Sequence, residues 1–419
     1  MAISDDECRS FKLSDKDELR FSIEDPSAAV TVELVDGTAE IFGAEMLKNK
    51  VYSFSSFTSV AVTTCNNCLL KVKGKNHKIY ITKKRSTLHT YHELLEECRI
   101  EAKKNNVRGP VTLLAGPTDV GKSTLSRYLL NSATRSGWQP LFIDLDVGQS
   151  SISIPGTVGI LPVENTVDIV GGFDERKLSV YFFGYNSPGH NILLYSMLIK
   201  KLSQTLHSRM KHISKNARAS GVVVDTCGWT TGNGYCSTVL ASKEFEIDVL
   251  FVLGDIDLYA QLRQDVSSNV KVIFIPKLNG VVERKRPVRI KRRNDLIREY
   301  FYGSLTPLEP YIFEISFSDI EVFQVFISSK KRPTNLSDVT SKDISVVSVM
   351  INTELLNHIL ALSYANSIDE DIMLTSVLGF ICIKDIDMER EVITVLSPQP
   401  SPLPKRILIK GDILFDDYS

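Results

Sequence analysis

The first eighty residues of the chain alternate apolar and polar positions with a period of two. Runs such as LRFSIED, AAVTVELVDG and KIYITK are rich in β-branched and aromatic residues, and Gly, Asp and Asn stand between them. This alternation is typical of half-buried strands joined by tight turns. Residues 10–83 are therefore predicted to form a small all-β sandwich or barrel, and the changed period of residues 90–104 predicts a helix.

Between residues 109 and 302, near-continuous apolar runs alternate with helical segments. The runs predict strands at 111–115, 140–146, 221–225, 249–255 and 270–276, and helices are predicted at 122–132 and 191–213. Strands without alternation suit burial on both faces, as in a parallel sheet covered by helices. The central part is therefore predicted to be an α/β domain built on a parallel sheet.

Strands return after residue 308, in PYIFEISF, VFQVFI and ISVVSV. Residues 353–363 are predicted to be helical, and the polar stretch 335–342 is predicted to be a mobile loop. Alternate prolines in SPQPSPLP, near the end of the chain, suit either a docking segment or a rigid surface loop.

The composition is that of a soluble globular protein, since 43% of the 419 residues are hydrophobic and 24% are charged. With 49 basic and 50 acidic residues the formal net charge is −1, so a nucleic acid would have to be bound by a local basic patch. No apolar stretch approaches the roughly 18–20 residues of a membrane span, and MAISDDECRSFK lacks the apolar core of a secretory signal. These features predict an intracellular protein with reduced cysteines and no membrane partner.

Two of the cysteines, Cys65 and Cys68, form an isolated C-x-x-C. A zinc site needs a second pair of Cys or His ligands at metal-binding spacing, and the sequence offers none. Asn66 and Asn67 between the cysteines are a turn signal that separates the alternating runs VAVTT and LLKVKG. A β-hairpin turn is therefore predicted in preference to a metal site.

One motif carries specific chemistry: residues 116–123 read GPTDVGKS and match the phosphate-binding loop G-x-x-x-x-G-K-[ST]. The motif follows a predicted buried strand and precedes a predicted helix, which is the structural context that a phosphate-binding loop requires. Its glycines let backbone N–H groups curl around a phosphate, and the helix N-terminus favours negative charge. Lys122 is predicted to reach the β- and γ-phosphates of a nucleotide, and Ser123 to ligate Mg²⁺.

Carboxylates follow the next two predicted strands. Asp144 and Asp146, at spacing i, i+2, lie on one face where a metal or a nucleophile is handled, unless either is an ordinary strand-end residue. The third strand ends in DTCGW, residues 225–229, whose Asp-x-x-Gly is similar to a GTPase switch, but no guanine-reading Asn/Thr-Lys-x-Asp follows. Trp229 is predicted either to pack over the phosphate loop or to be a core aromatic.

Most of the local positive charge stands in ERKRPVRIKRRN, residues 283–294. Three alternatives explain it: a lid whose arginines stabilise a phosphoryl group in transfer, a contact to the backbone of a nucleic acid, or a solvated helix face. Its place after the fifth strand favours the lid, because kinases of this fold close a helical lid from that side.

Seven segments together resemble one known family. They are GPTDVGKST, DLDVGQ, SIPGTVG, DTCGW, GVVER, REYFYG and TVLSPQPSPLP. In this order, from about residue 18 to the C-terminus, the chain is similar to the eukaryotic polynucleotide 5′-hydroxyl kinases of the Clp type. These are subunits of pre-mRNA cleavage complex II and, in animals, associate with the tRNA-splicing endonuclease.

The resemblance implies three domains: an N-terminal β-sandwich (1–100), a P-loop kinase domain (101–305) and a small C-terminal α+β domain (306–419). It implies ATP and Mg²⁺ as cofactors and an RNA with a 5′-hydroxyl end as substrate. A Pcf-type scaffold subunit and the tRNA-splicing endonuclease are the implied protein partners, and the nucleus is the implied location. The alternative within the same family is a catalytically silent scaffold that keeps ATP bound.

The resemblance also assigns roles by position. Four residues are implied in catalysis, Lys122, Asp146, Arg284 and Arg289. The nucleotide is implied to lie against Glu18, Gly116, Thr118, Asp119, Val120, Gly121, Lys122, Ser123, Thr124 and Trp229. The end of the RNA is implied to contact Asp146, Gln149, Asn191 and Thr226, with Asp146 deprotonating the 5′-hydroxyl. The metal is implied to be held by Ser123 and Asp144.

The chain departs from the family pattern at four places. Asp144 replaces the usual Glu, Asp225 stands where Asn is common, and Ser59 stands where a basic residue is usual. The lid is unusually basic and contains Pro287, which restricts its own φ. None of these changes removes a group that the chemistry needs, so an active kinase is the expected function.

Overall fold

The computed structural model describes residues 8–15, 17–25, 28–55, 57–74, 77–83, 87–304, 306–327 and 335–416. The described part begins with nine short strands, β1 (Cys8–Leu13), β2 (Glu18–Ile23), β3 (Val30–Gly37), β4 (Glu40–Ile41), β5 (Ala44–Glu45), β6 (Val51–Phe54), β7 (Ser59–Thr63), β8 (Cys68–Gly74) and β9 (His77–Thr82). They form two antiparallel sheets, ordered β1-β8-β3-β6 and β5-β4-β7-β2-β9, around a common core that includes Phe21, Val32 and Val62. The predicted β-sandwich is confirmed.

The turn between Cys65 and Cys68 joins β7 to β8, and these strands belong to different sheets of the sandwich. The prediction of a β-hairpin at this place is therefore wrong, although the turn itself is present. Thr64 Oγ1 donates to the carbonyl of Thr38 at 2.6 Å and accepts from the N–H of Asn66 at 3.1 Å, which anchors the crossing. Alternation shows that a strand has a buried face, but it does not show which strand lies beside it. Both thiols are free, and the described residues contain no group of three or more His, Cys, Asp or Glu that would hold a metal.

Helix α1 (Leu88–Asn105) confirms the helix predicted after the sandwich. The five predicted central strands are β10 (Val111–Ala115), β11 (Leu141–Asp144), β14 (Val222–Asp225), β15 (Val249–Leu253) and β16 (Lys271–Ile275). They lie parallel in the order β16-β15-β10-β14-β11, which confirms the predicted parallel sheet. This order places the carboxyl ends of β14 and β11 next to the loop that follows β10.

Two strands that the sequence did not predict extend this sheet. β12 (Thr157–Pro162) and β13 (Ser179–Phe182) continue it in antiparallel orientation beyond β11. The first of them contains Gly159, where a Cβ would lie 3.0 Å from the carbonyl of Ser179 on the neighbouring strand. Gly and Pro in a short segment are typical of a loop, so the pattern did not predict this strand. The glycine is there because the backbones of two strands approach each other closely.

Within the described residues, six further helices follow α1: α2 (Lys122–Arg135), α3 (Ile192–His212), α4 (Lys215–Ala219), α5 (Asn233–Glu244), α6 (Ile256–Asp265) and α7 (Arg286–Tyr302). Helix α7 carries most of the basic stretch. Pro287 stands in its first turn. Backbone N–H groups in the first turn have no partner within the helix, so the N–H that proline lacks is not needed there. The proline is therefore compatible with a helical lid.

The C-terminal part contains the strands β17 (Tyr311–Ser316), β18 (Glu321–Ile327), β19 (Ile344–Ser348), β20 (His358–Ser363), β21 (Val377–Asp387), β22 (Val392–Ser397) and β23 (Ile407–Leu414). β21 pairs with β13 at Val377 and Val180, so the sheet of the central part continues into the C-terminal part. The three strands predicted after residue 308 are confirmed as β17, β18 and β19.

The predicted helix at 353–363 is wrong. A 3-10 turn at Thr353–Leu355 is followed by Asn357 at φ 62° and then by β20, in which residues 359–363 are all buried. A short apolar run is typical of a buried strand as much as of a buried helix, so the pattern did not decide between them. Within 306–327 and 335–416 the chain forms strands and 3-10 turns and no α-helix, which corrects the α+β expectation for this part.

The polar stretch 335–342 contains the 3-10 turn Leu336–Asp338 and lies against α3. Lys200 Nζ donates to the carbonyls of Ser337 and Val339, and Val339 is 2% exposed. In the parts of the chain that the structure describes, no helix is long and apolar enough to cross a membrane.

Candidate functional site

A cleft of about 2790 Å³ opens between the β-sandwich, the loop after β10 and helix α7. Of the residues that the sequence analysis singled out, twelve line this cleft: Glu18, Thr118, Asp119, Gly121, Lys122, Ser123, Thr124, Asp146, Gln149, Trp229, Arg284 and Arg289. The other five do not line it: Gly116, Val120, Asp144, Asn191 and Thr226. The fold thus brings residues from five separate segments of the sequence to one place.

The phosphate-binding loop takes a backbone form that only certain residues tolerate. Gly116 has φ 147°, and a Cβ there would lie 2.4 Å from the carbonyl of Leu253. Asp119 has φ 55°, a left-handed conformation that Asp and Asn adopt more readily than most residues. Lys122 Nζ donates to the carbonyls of Gly116 at 2.8 Å and Pro117 at 2.9 Å, so its ammonium group lies at the loop.

Asp144 ends β11 and shapes the loop that follows it. The residue is 1% exposed, and both of its carboxylate oxygens accept hydrogen bonds from that loop. Oδ1 accepts from the N–H of Asp146 at 2.9 Å, and Oδ2 accepts from the N–H of Ser151 at 2.6 Å and the hydroxyl of Ser150 at 3.3 Å. Burial, followed by the neighbouring Asp225, raises the pKa of Asp144 well above its usual value. These contacts describe a residue that holds the loop in place.

Asp146 lines the cleft on the loop that Asp144 supports. Its Oδ1 accepts from the N–H groups of Gly148 at 2.9 Å and Gln149 at 3.0 Å, which fixes the orientation of the carboxylate. Gln149 Nε2 donates in turn to the carbonyl of Arg289 at 3.4 Å, so this loop contacts α7. The arrangement places a carboxylate next to the basic helix.

Asp225 ends β14 and Thr226 follows it, beside the phosphate-binding loop. Thr226 Oγ1 donates to the carbonyl of Leu114 at 2.7 Å and fastens β14 to β10 behind the cleft wall. Asp225 is 2% exposed, and its Oδ1 has no hydrogen-bond partner among the described residues. Burial raises the pKa of Asp225 to about 6, although the nearby Lys122 and a hydrogen bond from the Ser123 side chain oppose this rise.

Gly228 and Trp229 follow on the same segment and form one wall of the cleft. A Cβ at Gly228 would lie 2.6 Å from the backbone nitrogen of Thr118 and 2.8 Å from its Cα, so the backbone of Gly228 touches the phosphate-binding loop. The indole of Trp229 lies against Gly189 and Gly234. The backbone of Gly228 therefore packs directly on the phosphate-binding loop, and the neighbouring Trp229 lines the same cleft.

We expect Gly228→Ala to weaken nucleotide binding by at least about 10-fold, because the new methyl group would displace the backbone of Thr118. Equilibrium binding of a fluorescent ATP analogue measures this loss. Gly189→Ala is the matched control, since a Cβ there meets the Trp229 ring at an ordinary 3.6 Å and leaves the loop untouched. Equal nucleotide affinity in both variants would contradict the contact that the structure shows.

The two arginines implied in catalysis are both bound to one carboxylate of the phosphate-binding loop. Asp119, whose side chain is 4% exposed, accepts from the backbone N–H of Arg284 at 2.9 Å and from its Nε at 3.0 Å. Arg289 Nη2 donates to the same carboxylate at 2.7 Å. Burial alone would raise the pKa of Asp119, but these hydrogen bonds hold it below its usual value. The sequence carried no signal of this long-range contact.

We expect Asp119→Asn to release the N-terminal end of α7, because it removes a charge-assisted partner of Arg284 and Arg289 while tolerating the left-handed backbone. Local opening should rise by about 10–100-fold, the equivalent of roughly 1.5–3 kcal/mol for hydrogen bonds to a charged group. Limited trypsin digestion after Arg284, Lys285 and Arg289 measures this opening. The wild-type contact should persist at neutral pH and disappear only as the pH falls through the lowered pKa of Asp119. An unchanged digestion rate in Asp119→Asn would show that Asp119 does not hold the lid.

Helix α7 concentrates positive charge at the mouth of the cleft. Burial, followed by the neighbouring Arg286 and Arg289, lowers the pKa of Arg293. Arg292 is paired along the helix with Glu299 at 2.9 Å. Crowded guanidinium groups repel one another, so an anionic ligand in the cleft relieves this repulsion.

The β-sandwich contributes a buried ion pair to the cleft. Arg20 donates to Glu18 through Nε at 3.0 Å and through Nη2 at 2.9 Å, and the two residues are 8% and 3% exposed. Arg20 also lies next to Gly280, in the segment that leads into α7. Glu18 was singled out in the sequence, whereas Arg20 was not, since a single arginine in a strand carries no pattern.

Asn191 has a structural task at the start of α3. Its Oδ1 accepts from the N–H of Leu194 at 3.1 Å and caps the helix, and the residue is 4% exposed. Asn191 therefore lies behind the cleft wall, and the nearby residues that line the cleft are Asn186, Ser187 and Pro188. The implied contact of Asn191 with a substrate finds no support in this geometry.

The cleft thus brings the buried Lys122, the lid arginines Arg284 and Arg289, and the carboxylate of Asp146 to the phosphate-binding loop. The hydroxyl of Ser123 beside the buried Asp225 carboxylate fits a magnesium ion, which prefers oxygen ligands. Phosphoryl transfer depends on positioning and on neutralising charge, and these are the groups that supply both.

Three family models match consecutive parts of the chain. They describe the N-terminal beta-sandwich domain of polyadenylation factor (residues 12–102), the P-loop of mRNA cleavage and polyadenylation factor CLP1 (residues 116–303) and the pre-mRNA cleavage complex II protein Clp1 (residues 308–417). The matched segments follow one another in the order of the three parts described above.

Curated relatives and solved structures agree with these matches. A protein CLP1 homolog of Aedes aegypti is 42% identical over 97% of both chains. The polyribonucleotide 5′-hydroxyl-kinase Clp1 of Gallus gallus is 41% identical over 97% of this chain and 96% of its own. The structure of wild-type Clp1p in complex with Pcf11p superimposes with a TM-score of 0.84 over 99% of both chains, and at 23% identity this likeness shows a shared fold. The resemblance seen in the sequence is confirmed, and the chain belongs to the Clp1 family.

Proposed function

We propose that this protein is an ATP-dependent kinase that transfers the γ-phosphoryl group of ATP to the 5′-hydroxyl end of an RNA. One observation carries the proposal: Lys122, Asp146 and Arg289 line the same cleft although they come from three separate segments. Relatives that are 40–41% identical over almost their whole length are named polyribonucleotide 5′-hydroxyl-kinase, which supports the same activity.

The residues of the cleft suit an in-line transfer. Lys122 binds the β- and γ-phosphates from the loop, and the carboxylate of Asp146 orients the 5′-hydroxyl and accepts its proton. Arg284 and Arg289 stabilise the charge on the phosphoryl group as it passes between the two oxygens. Ser123 and a nearby carboxylate would hold Mg²⁺, which would supply further positive charge to the phosphates.

The base and the polynucleotide meet different parts of the protein. The adenine is proposed to lie against the sandwich near Glu18, where the Arg20 pair borders the cleft. The backbone of the RNA is proposed to lie along the basic residues of α7, because guanidinium groups bind phosphate in bidentate fashion. Gln149 and Thr226 support the loop and strand ends that surround the 5′-hydroxyl.

Partners and location are proposed from the family. The solved relative that shares this fold is a Clp1p bound to Pcf11p, so a Pcf-type scaffold subunit is the proposed partner. A second structure of that pair is described as showing an extended interface and the basis for ATP loss in a glycine-to-arginine mutant, which supports nucleotide binding by the shared fold. Association with the tRNA-splicing endonuclease and a nuclear location complete the proposal.

The test is transfer of labelled γ-phosphate from ATP to a short single-stranded RNA with a 5′-hydroxyl. The same RNA with a 5′-phosphate is the matched control, and a DNA of the same sequence measures the preference for ribose. Lys122→Ala should abolish transfer, because its ammonium group lies at the phosphate-binding loop, from which this lysine neutralises the β- and γ-phosphates. Replacing ATP by GTP distinguishes this kinase from a GTPase.

No transfer to RNA, together with one ATP retained per purified protein, would contradict the proposal. That outcome would favour the silent scaffold, in which the nucleotide stays bound and the protein holds other subunits. Transfer that is equally fast in Lys122→Ala would also contradict it, since the activity would then come from another protein in the preparation.

A further inference from the structure

Three carboxylates lie at or just after the ends of β11 and β14, and they differ in what they bind. Asp144 accepts hydrogen bonds on both of its oxygens from the loop that follows it. Asp146 uses Oδ1 to hold two backbone amides and faces the cleft near α7. Asp225 alone has a buried oxygen, Oδ1, that has no partner among the described residues.

The position of Asp225 is set by the order of the strands. β14 lies directly beside β10, with Asp225 opposite Leu114, so its side chain is next to the start of the phosphate-binding loop. The side chain of Ser123, at the first turn of α2, lies close enough to the Asp225 carboxylate to lower its pKa. In enzymes with this loop, magnesium is held by the Ser or Thr of the loop together with an Asp on a neighbouring strand.

The surroundings of Asp225 favour the binding of a cation. A buried carboxylate oxygen without a donor is unfavourable, and Asp144 stands opposite Asp225 on β11 as a second buried carboxylate. The ammonium group of Lys122 is close, but its hydrogen bonds go to the carbonyls of Gly116 and Pro117. A divalent cation at this point would satisfy the unpaired oxygen and reduce the repulsion between the two acids.

We infer that Asp225, acting with Ser123, holds the magnesium ion of the bound nucleotide, and that Asp144 shapes the neighbouring loop. The inference rests on the proposed binding of a magnesium nucleotide, but it does not depend on transfer to RNA. It gives a role to Asp225, to which the family resemblance assigned none.

The test measures how much Mg²⁺ is needed for nucleotide binding, without any RNA. A fluorescent ATP analogue is titrated with Mg²⁺ in the wild type, in Asp225→Asn and in Asp144→Asn. In Asp225→Asn we expect the Mg²⁺ concentration at half-saturation to rise by about 10–100-fold, while binding in excess EDTA stays unchanged. Asp144→Asn should leave that concentration within about 2-fold of the wild type and lower the melting temperature instead.

A second variant separates metal binding from folding. In Asp225→Cys, binding supported by Mg²⁺ should fall as in Asp225→Asn, and Cd²⁺ should restore it, because a thiolate prefers a softer cation. The inference would be overturned by an unchanged Mg²⁺ requirement in Asp225→Asn, by a raised requirement in Asp144→Asn alone, or by the absence of Cd²⁺ rescue. None of these results bears on whether RNA is phosphorylated, so a failure here is distinguishable from a failure of the proposed kinase activity.

Discussion

We expect Arg289→Ala to lower kcat by about 10³–10⁵-fold, which is the contribution of an arginine that stabilises a phosphoryl group in transfer. The Arg289 side chain lines the cleft and is bound to Asp119 of the phosphate-binding loop at 2.7 Å, so it lies beside the loop that is proposed to hold the phosphates. The affinity for ATP should change by less than about 3-fold, because this interaction is strongest in the transition state. Single-turnover transfer to RNA and equilibrium binding of ATP measure the two effects separately.

The matched control on the same helix is Arg292→Ala. Arg292 also lines the cleft, but it is paired with Glu299 of its own helix, so we expect a loss of only a few-fold through weaker RNA binding. Arg284→Ala tests the other arginine held by Asp119 and should behave like Arg289→Ala if both meet the phosphoryl group. Equal losses in turnover and in ATP affinity would show that the arginines bind the ground state and have no catalytic role.

We expect Asp146→Asn to reduce phosphoryl transfer by about 10²–10⁴-fold, the usual contribution of a general base. The amide keeps an oxygen that can accept from the N–H groups of Gly148 and Gln149, so the loop should retain its shape. It loses the capacity to take the proton of the 5′-hydroxyl. The rate should be measured under single-turnover conditions, with thermal unfolding of the variant as the check on its fold.

A control for Asp146→Asn is available on the same segment. Ser153→Ala changes a residue that also lines the cleft but that carries no charge, and it should transfer phosphate at nearly the wild-type rate. If Asp146→Asn transferred phosphate as fast as Ser153→Ala, another group would have to orient the hydroxyl, and the assignment of Asp146 would be wrong.

Several parts of this protein could be predicted because their causes are local. Period-two alternation predicted the strands of the sandwich, since each strand buries one face. Unbroken apolar runs predicted the five parallel strands, and the phosphate-binding motif predicted the junction between β10 and α2. In each case the residues that form the element also carry its signal.

Other parts were missed because their causes lie elsewhere in the chain. β12 and β20 are fully or almost fully buried, and their neighbours on both sides determine that they are strands. The turn at Cys65 joins two sheets, although the same turn sequence is also typical of a β-hairpin.

The sequence by itself determined the chemistry of this protein: a loop for phosphate, a lysine within it, acids after the neighbouring strands and a basic segment beyond them. Tertiary structure alone decided how these groups meet. The carboxylate of Asp119 binds arginines more than 160 positions away, as the separations of 165 and 170 between partners show. Asp225 lies beside Ser123 because β14 is inserted between β10 and β11. Composition and spacing depend on neighbours along the chain, whereas a strand order and an ion pair depend on which segments fold against each other.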